Sequence, residues 1–206
     1  MIDFVAVFIT FFAVIDPIGT LPVFIAVTDK YDAKTKRRVA LLATIVAALV
    51  LLFFLFIGEY LLNSLHIPLP AFQISGGIVL FLFAMNMIFG QSKPEEEIKL
   101  LRKSHKETAI FPLAIPSIAS PGAMLAAVLL TKNSVYTFLE QALTALVMLG
   151  VLLLAYILML MSGLISRFIG NSGASVISRV MGLILSAIAT TNILTGLTDY
   201  FKFMQV

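Results

Sequence analysis

Asp16-Pro17-Ile18-Gly19-Thr20-Leu21-Pro22 interrupts an apolar stretch that runs over residues 2–27. A carboxylate at membrane depth costs about 2.5–3.5 kcal/mol on insertion scales, and such groups mark substrate or ion pathways. Pro17 and Pro22 each remove a backbone donor, and Pro17 clashes with the turn before it. Gly19 permits backbone angles that a helix does not use. Carbonyls freed at that depth have to line protein or a water-filled cavity. A second interruption, Ile115-Pro116-Ser117-Ile118-Ala119-Ser120-Pro121-Gly122-Ala123, is built from small residues that let a backbone or a ligand come close. Matching interruptions in two halves of a chain point to a transporter binding site. The half-helix N-termini they expose suit a carboxylate, and the complementary carbonyl ends suit an ammonium group or a cation.

The candidate site therefore comprises Asp16, Pro17, Gly19 and Thr20 from the first break and Ser120, Pro121 and Gly122 from the second. Asn86, Thr191 and Asn192 join it as polar residues expected at corresponding depth in two other apolar stretches. Each has a plainer reading. Asp16 could bond a neighbouring backbone group at a proline kink, the second break could serve packing, and Asn86, Thr190, Thr191 and Asn192 could bond between helices. Glu59, Gln73 and Glu140 fall near helix ends, where a solvated side chain is the default.

These residues need elements to hold them at depth. Of the 206 residues, 60% are hydrophobic and 12% charged, against roughly a quarter charged in a soluble domain. The apolar residues form long blocks, and about 20 of them cross a bilayer as helix. Blocks at about 2–27, 39–63, 71–90, 108–130, 135–165 and 176–201 predict an all-α membrane protein with six transmembrane helices. The first and fourth are discontinuous. A loop at Gly170-Asn171-Ser172-Gly173 is expected before the last helix, and Pro94-Glu95-Glu96-Glu97 reads as the start of a short surface helix.

Shifting the chain by about 105 residues aligns Gly77, Leu80, Ala84 and Ile88 with Gly182, Leu185, Ala189 and Ile193. Gly58 aligns with Gly163 at that shift, and Asp16-Pro17 aligns with Ser120-Pro121 at a shift one residue smaller. Each half has an odd number of helices, so the reading is two inverted three-helix repeats. The division is a single transmembrane domain over 1–206, with repeat 1 at about 1–90, a cytoplasmic linker at about 91–107 and repeat 2 at about 108–206.

Of the 14 Lys and Arg residues, all but Lys132 and Lys202 fall on one side of this arrangement. The positive-inside rule makes that side cytoplasmic and places both termini outside. The N-terminus lacks a basic region and a small-residue cleavage site, so the first helix is expected to be retained. The absence of cysteine excludes disulfides, thiolate catalysis and Cys-ligated metals. His66 and His105 lie in loops, and Asp16 has no acidic partner at its depth, which leaves protease and hydrolase chemistry without its second group.

With Pro22 and Phe24 after the first break, and Ile67-Pro68-Leu69-Pro70-Ala71-Phe72 leading to Gly76-Gly77, the chain resembles the MarC family, within the LysE-type exporter superfamily. The likeness continues through Pro112-Leu113-Ala114-Ile115-Pro116, Pro121-Gly122-Ala123 and Arg179-Val180-Met181-Gly182-Leu183-Ile184-Leu185. The resemblance implies a central site between two broken helices and transport of small neutral amino acids such as glycine and alanine. The sequence departs from the family pattern at Thr20, where Asn is common, at Ser120, where Gly is common, and at Thr191, near a family Gln. The expected function is a secondary transporter of a small zwitterion, an exporter rather than an enzyme, working by alternating access. The alternative is a channel or an efflux carrier for another small solute or ion. No cofactor is expected beyond a coupling ion, a proton or sodium. The expected partners are the zwitterionic substrate and the lipid bilayer, with no nucleic acid; a homo-oligomer is compatible with the sequence. The expected location is the cell inner (plasma) membrane.

Overall fold

A computed structural model describes residues 3–29, 31–89, 105–133 and 135–203, and every regular element among them is a helix. The expected linker falls mainly outside the described residues, as does the surface helix at Pro94. The helices are α1 (Phe4–Ile15), α2 (Thr20–Thr28), α3 (Ala33–Ser64), α4 (Leu69–Phe89), α5 (His105–Thr108), α6 (Pro121–Leu129), α7 (Phe138–Leu160) and α8 (Ser162–Phe203). Between α5 and α6 lies a wide, π-helical coil, Ala109–Ile118, interrupted by non-helical backbone at two positions.

Local chemistry sets many of these ends. Asp3 accepts the Val5 and Ala6 amides at 3.0 and 3.1 Å and starts α1. Asp32 accepts the Thr35 amide at 3.3 Å and starts α3. Thr137 and Glu140 satisfy one another's backbone donors at the start of α7, the reciprocal pattern of a capping box. In the irregular coil Phe111 (φ −134°, ψ 123°) and Ile115 (φ −130°, ψ 124°) are extended. Each precedes a proline, whose ring pushes the residue before it out of the helical region. Both of those X–Pro bonds are cis. The coil and α6 meet at an angle of 54°.

Among the described residues, four helical stretches are long and apolar enough to cross a membrane: α3, α4, α7 and residues Arg179–Lys202 of α8. Counting the bent pair formed by Ala109–Ile118 and α6 as one span makes five. Helices α1 and α2, with 12 and 9 residues, are each too short to cross alone. One boundary expectation is corrected. The chain turns at Met161, and α8 then continues unbroken through residues 170–173, where a loop was expected. Glycine costs a helix only about 1 kcal/mol relative to alanine, and no proline stands in that segment.

Ala40, Ala43, Ala47, Leu51 and Leu55 line the buried face of α3, a stripe at helical spacing. They share a core with Phe11, Val14 and Ile15 of α1, Leu113 and Ile118 of the coil, and Met148 and Leu152 of α7. Large apolar side chains such as Leu49, Leu82, Leu146 and Leu183 remain exposed on the outside, as befits helices whose outer solvent is lipid.

Helices α4 and α8 run antiparallel and pack along much of each other's length. A Cβ built on Gly77 would lie 3.1 Å from the Ala189 carbonyl oxygen and 2.7 Å from Ile193 Cγ1. One built on Gly182 would lie 3.1 Å from the Ala84 carbonyl oxygen and 3.0 Å from Ile88 Cγ1. The two contacts are reciprocal at the shift of about 105 residues that aligns Gly77, Ala84 and Ile88 with Gly182, Ala189 and Ile193. Absent side chains let the two backbones approach, which is how transmembrane helices gain contact without a hydrophobic drive.

Candidate substrate site at two helix breaks

The first break, Asp16–Gly19, turns on a single left-handed residue between two right-handed helices. Helix α1 ends at Asp16, whose backbone is left-handed (φ 48°, ψ 65°) and whose amide donates to the Phe12 carbonyl at 3.0 Å. Asp and Asn are the side chains that visit this region most readily apart from glycine. The next helical turn starts from the same residue. Asp16 Oδ1 accepts the Gly19 amide at 2.9 Å, and the Asp16 carbonyl accepts the Thr20 amide at 3.0 Å. Pro17, with no amide to satisfy, sits where a first-turn donor would be orphaned anyway.

The second break repeats this design with a hydroxyl. Ser120 precedes Pro121, and its Oγ accepts the Ala123 amide at 3.1 Å, so it caps α6. Asp16 with Gly19, and Ser120 with Ala123, hold the same relative places, one acidic and one neutral. Pro121 occupies the first turn of α6, whereas Pro17 lies in the turn that leads from Asp16 to the start of α2.

The two breaks touch. Ser120 Oγ donates to the Val14 carbonyl at 3.0 Å, near the end of α1. The Thr20 and Ser117 hydroxyls lie 3.4 Å apart, and Thr20 Oγ1 also donates to the Asp16 carbonyl at 3.0 Å. Asp16, Thr20, Ser117 and Ser120 are each no more than 1% exposed. Gly122 faces α4 closely enough that a Cβ there would stand 2.6 Å from Leu80 Cδ1. A carboxylate, three hydroxyls and two half-helix starts are thus gathered in one enclosed place.

Not every sequence candidate lies there. Pro17 and Gly19 are buried at the first break, while Pro121 is exposed although it begins α6. Asn86 stands on the exposed face of α4, farther along the helix than the Leu80 that meets Gly122. Thr191 is exposed and its hydroxyl bonds the Ala187 carbonyl of its own helix at 3.0 Å; Thr190 does the same with Ser186. Asn192 is half-buried. Ser117 is the addition: its place beside Thr20 joins the two segments, and its small polar side chain between Pro116 and Ser120 was the signal for it. The Gly19 amide is already bonded to Asp16, so the first break presents a neutralised half-helix start rather than a free one.

The chain matches the family model described as MarC family integral membrane protein over residues 1–201. It is 35% identical over 206 residues to a UPF0056 membrane protein of Buchnera aphidicola subsp. Schizaphis graminum, covering 98% of this chain and 100% of that one. It is 34% identical over 193 residues to the UPF0056 inner membrane protein YhgN of Escherichia coli K12, covering 92% of this chain and 93% of that one. A UPF0056 membrane protein of Methanocaldococcus jannaschii is 34% identical over 196 residues, covering 94% and 95% of the two chains. No solved structure matches the chain significantly.

Proposed function

Because the chain belongs to the MarC family of integral membrane proteins, we propose that it is a secondary transporter of a small neutral amino acid such as glycine or alanine. The observation that carries this reading is the junction of the two breaks, with Ser120 bonded to the Val14 carbonyl and Thr20 beside Ser117. Discontinuous helices meeting near the middle of a bundle are the way transporters expose backbone groups to a zwitterion. In this reading the start of α6, with the Ser117 and Thr20 hydroxyls, receives the substrate carboxylate. Asp16 and the carbonyls beside it receive the ammonium group or a coupling ion, a proton or sodium.

The crossings of this proposal number six: α1 with α2, α3, α4, the bent pair, α7 and the Arg179–Lys202 part of α8. The reciprocal contacts of Gly77 and Gly182 support two inverted halves, because a pseudo-two-fold axis exchanges one contact for the other. The concentration of Lys and Arg on one side supports both termini outside the cytoplasm. The relative YhgN, described as an inner membrane protein, supports placement in the inner membrane. The enclosure of the break favours a carrier over a channel, since a channel needs a continuous wet path.

Equilibrium binding to the detergent-purified protein tests the substrate class. Radiolabelled glycine is expected to bind saturably and to be displaced by alanine but not by phenylalanine. Thr20→Val, which removes a hydroxyl and keeps the shape, is expected to weaken binding by about tenfold, the loss on removing one buried hydrogen-bonding partner. Folded wild-type protein that binds neither amino acid would exclude this substrate class.

A further inference from the structure

A solute can reach the enclosed break only when one end of the bundle parts. At the end where α6 turns into α7, the closure is polar. Lys132 Nζ donates to Gln73 Oε1 of α4 at 2.9 Å. The Asn133 amide donates to the Glu59 carboxylate of α3, and Gln141 Nε2 of α7 donates to Asn133 Oδ1 at 2.7 Å. Asp199 of α8 and Glu59 both act on the Lys132 charge. Gln73 and Gln141 are 4% and 6% exposed, far from the solvated state that residues near helix ends usually have. One short turn is therefore hydrogen-bonded to three helices, α3, α4 and α7.

The same turn is coupled to the break through α6. Ser120 caps one end of that helix. Just beyond the other end, Thr131 Oγ1 lies 2.6 Å from the Ala127 carbonyl and 2.9 Å from the Leu55 carbonyl of α3. Hydrogen bonds of this kind can be exchanged for bonds to water, so parting them costs only the modest net strength of each bond. The close backbone contacts of the α4–α8 seam have no such substitute.

We propose that Lys132, Gln73, Asn133, Glu59 and Gln141 form the latch of one gate, which holds this end of the bundle shut and must part for the break to open there. The proposal rests on the transporter reading and adds the device that regulates access to its site. Water replaces the protein partners as the latch opens, α6 moves with the turn, and the seam between α4 and α8 stays packed. Burial holds the Lys132 ammonium below the usual lysine range, against the pull of Asp199 and Glu59. That charge gains solvation on opening.

The chain has no cysteine, so single-cysteine reporters are free of background. Thr144→Cys places a thiol on the buried face of α7, one turn inward of Gln141, where the native hydroxyl is buried without a hydrogen-bond partner. Ala43→Cys places one in the buried stripe of α3, toward its other end. The protein is held in nanodiscs, where a water-soluble maleimide reaches both faces. Lys132→Met and Gln73→Leu are each expected to speed labelling at position 144 by about tenfold or more, the shift that follows loss of a hydrogen bond to a charged group. Labelling at position 43 is expected to stay slow. Lys132→Arg, which still donates to Gln73, is expected to keep the wild-type rate at 144. Unchanged labelling at 144 in both variants overturns the proposal, as does equal acceleration at 43 and 144, which would mean general loosening. Gln73→Leu carries the test where Lys132→Met does not fold. Labelling requires no transported solute, so a wild type that exchanges no amino acid refutes the transporter reading separately.

Discussion

Ser120→Ala removes one oxygen that makes two bonds: acceptance from the Ala123 amide at 3.1 Å and donation to the Val14 carbonyl at 3.0 Å. The first is a helix cap, for which alanine typically costs about 1 kcal/mol. The second is an interhelical hydrogen bond, worth about 0.6 kcal/mol on average and up to about 1.7 kcal/mol in a membrane protein. Their sum is about 1.5–3 kcal/mol. Ser120→Gly separates the contributions, because glycine caps to within a few tenths of serine but cannot reach Val14; it is expected to cost about 1–2 kcal/mol. Ser186→Ala is the control, since that hydroxyl bonds only the Leu183 carbonyl of its own helix at 2.8 Å and should stay within about 0.5 kcal/mol of wild type. Unfolding in bicelles, monitored by steric trapping, measures all three. If Ser120→Ala costs no more than Ser186→Ala, the junction between the two breaks is not an energetic contact and the reasoning fails.

The seam predicts paired effects. Gly77→Ala and Gly182→Ala press a methyl group against the facing backbone and are each expected to destabilise by about 1–3 kcal/mol, by similar amounts and less than additively when combined. Gly150→Ala, where nothing lies within 4 Å, is expected to be neutral or to stabilise by up to about 1 kcal/mol; thermal denaturation in detergent ranks the three. Burial lowers the folded-state pKa of Lys132, so the unfolded chain keeps its proton to higher pH than the folded one. Stability is therefore expected to rise with pH from that lowered value up to the ordinary lysine value of about 10.4, and Lys132→Met should remove this increment from the wild-type profile. An identical alkaline slope in both proteins would contradict the placement of Lys132.

The breaks were legible in the sequence because proline and a polar cap announce themselves. Asp16-Pro17 and Ser120-Pro121 mark the two places where a helix restarts, and the structure builds both restarts with the same side-chain-to-backbone bond. The glycine pattern of α4 and α8 was legible for a similar reason: Gly77 and Gly182 share a spacing with Ala84 and Ala189, and close approach needs small residues at that spacing. The course of the chain after α7 was not. Gly170 to Gly173 carries loop-favouring residues, yet a helix runs through them, and the turn falls at Met161, just before the shorter Ser162-Gly163 pair. Side-chain direction was equally hidden. Asn86 and Thr191 share a depth expectation with the break but face outward, because depth along a helix says nothing about which face a residue occupies. Gln73 reads as a solvated helix-end residue, and only the folded chain brings Lys132 to it.

Counterflow in proteoliposomes tests the central claim most directly, with unlabelled glycine or alanine inside, radiolabelled amino acid outside, and wild type beside Asp16→Asn. Asparagine tolerates the left-handed backbone of position 16 and can still accept the Gly19 amide, so the variant keeps the cap while losing the charge and one acceptor oxygen. The account predicts that wild type accumulates label and that Asp16→Asn, folded to the same extent, does not. Equal accumulation by both would reduce Asp16 to a helix cap and contradict its place at the centre of transport. No exchange of either amino acid by folded wild-type protein would contradict the proposed substrate class.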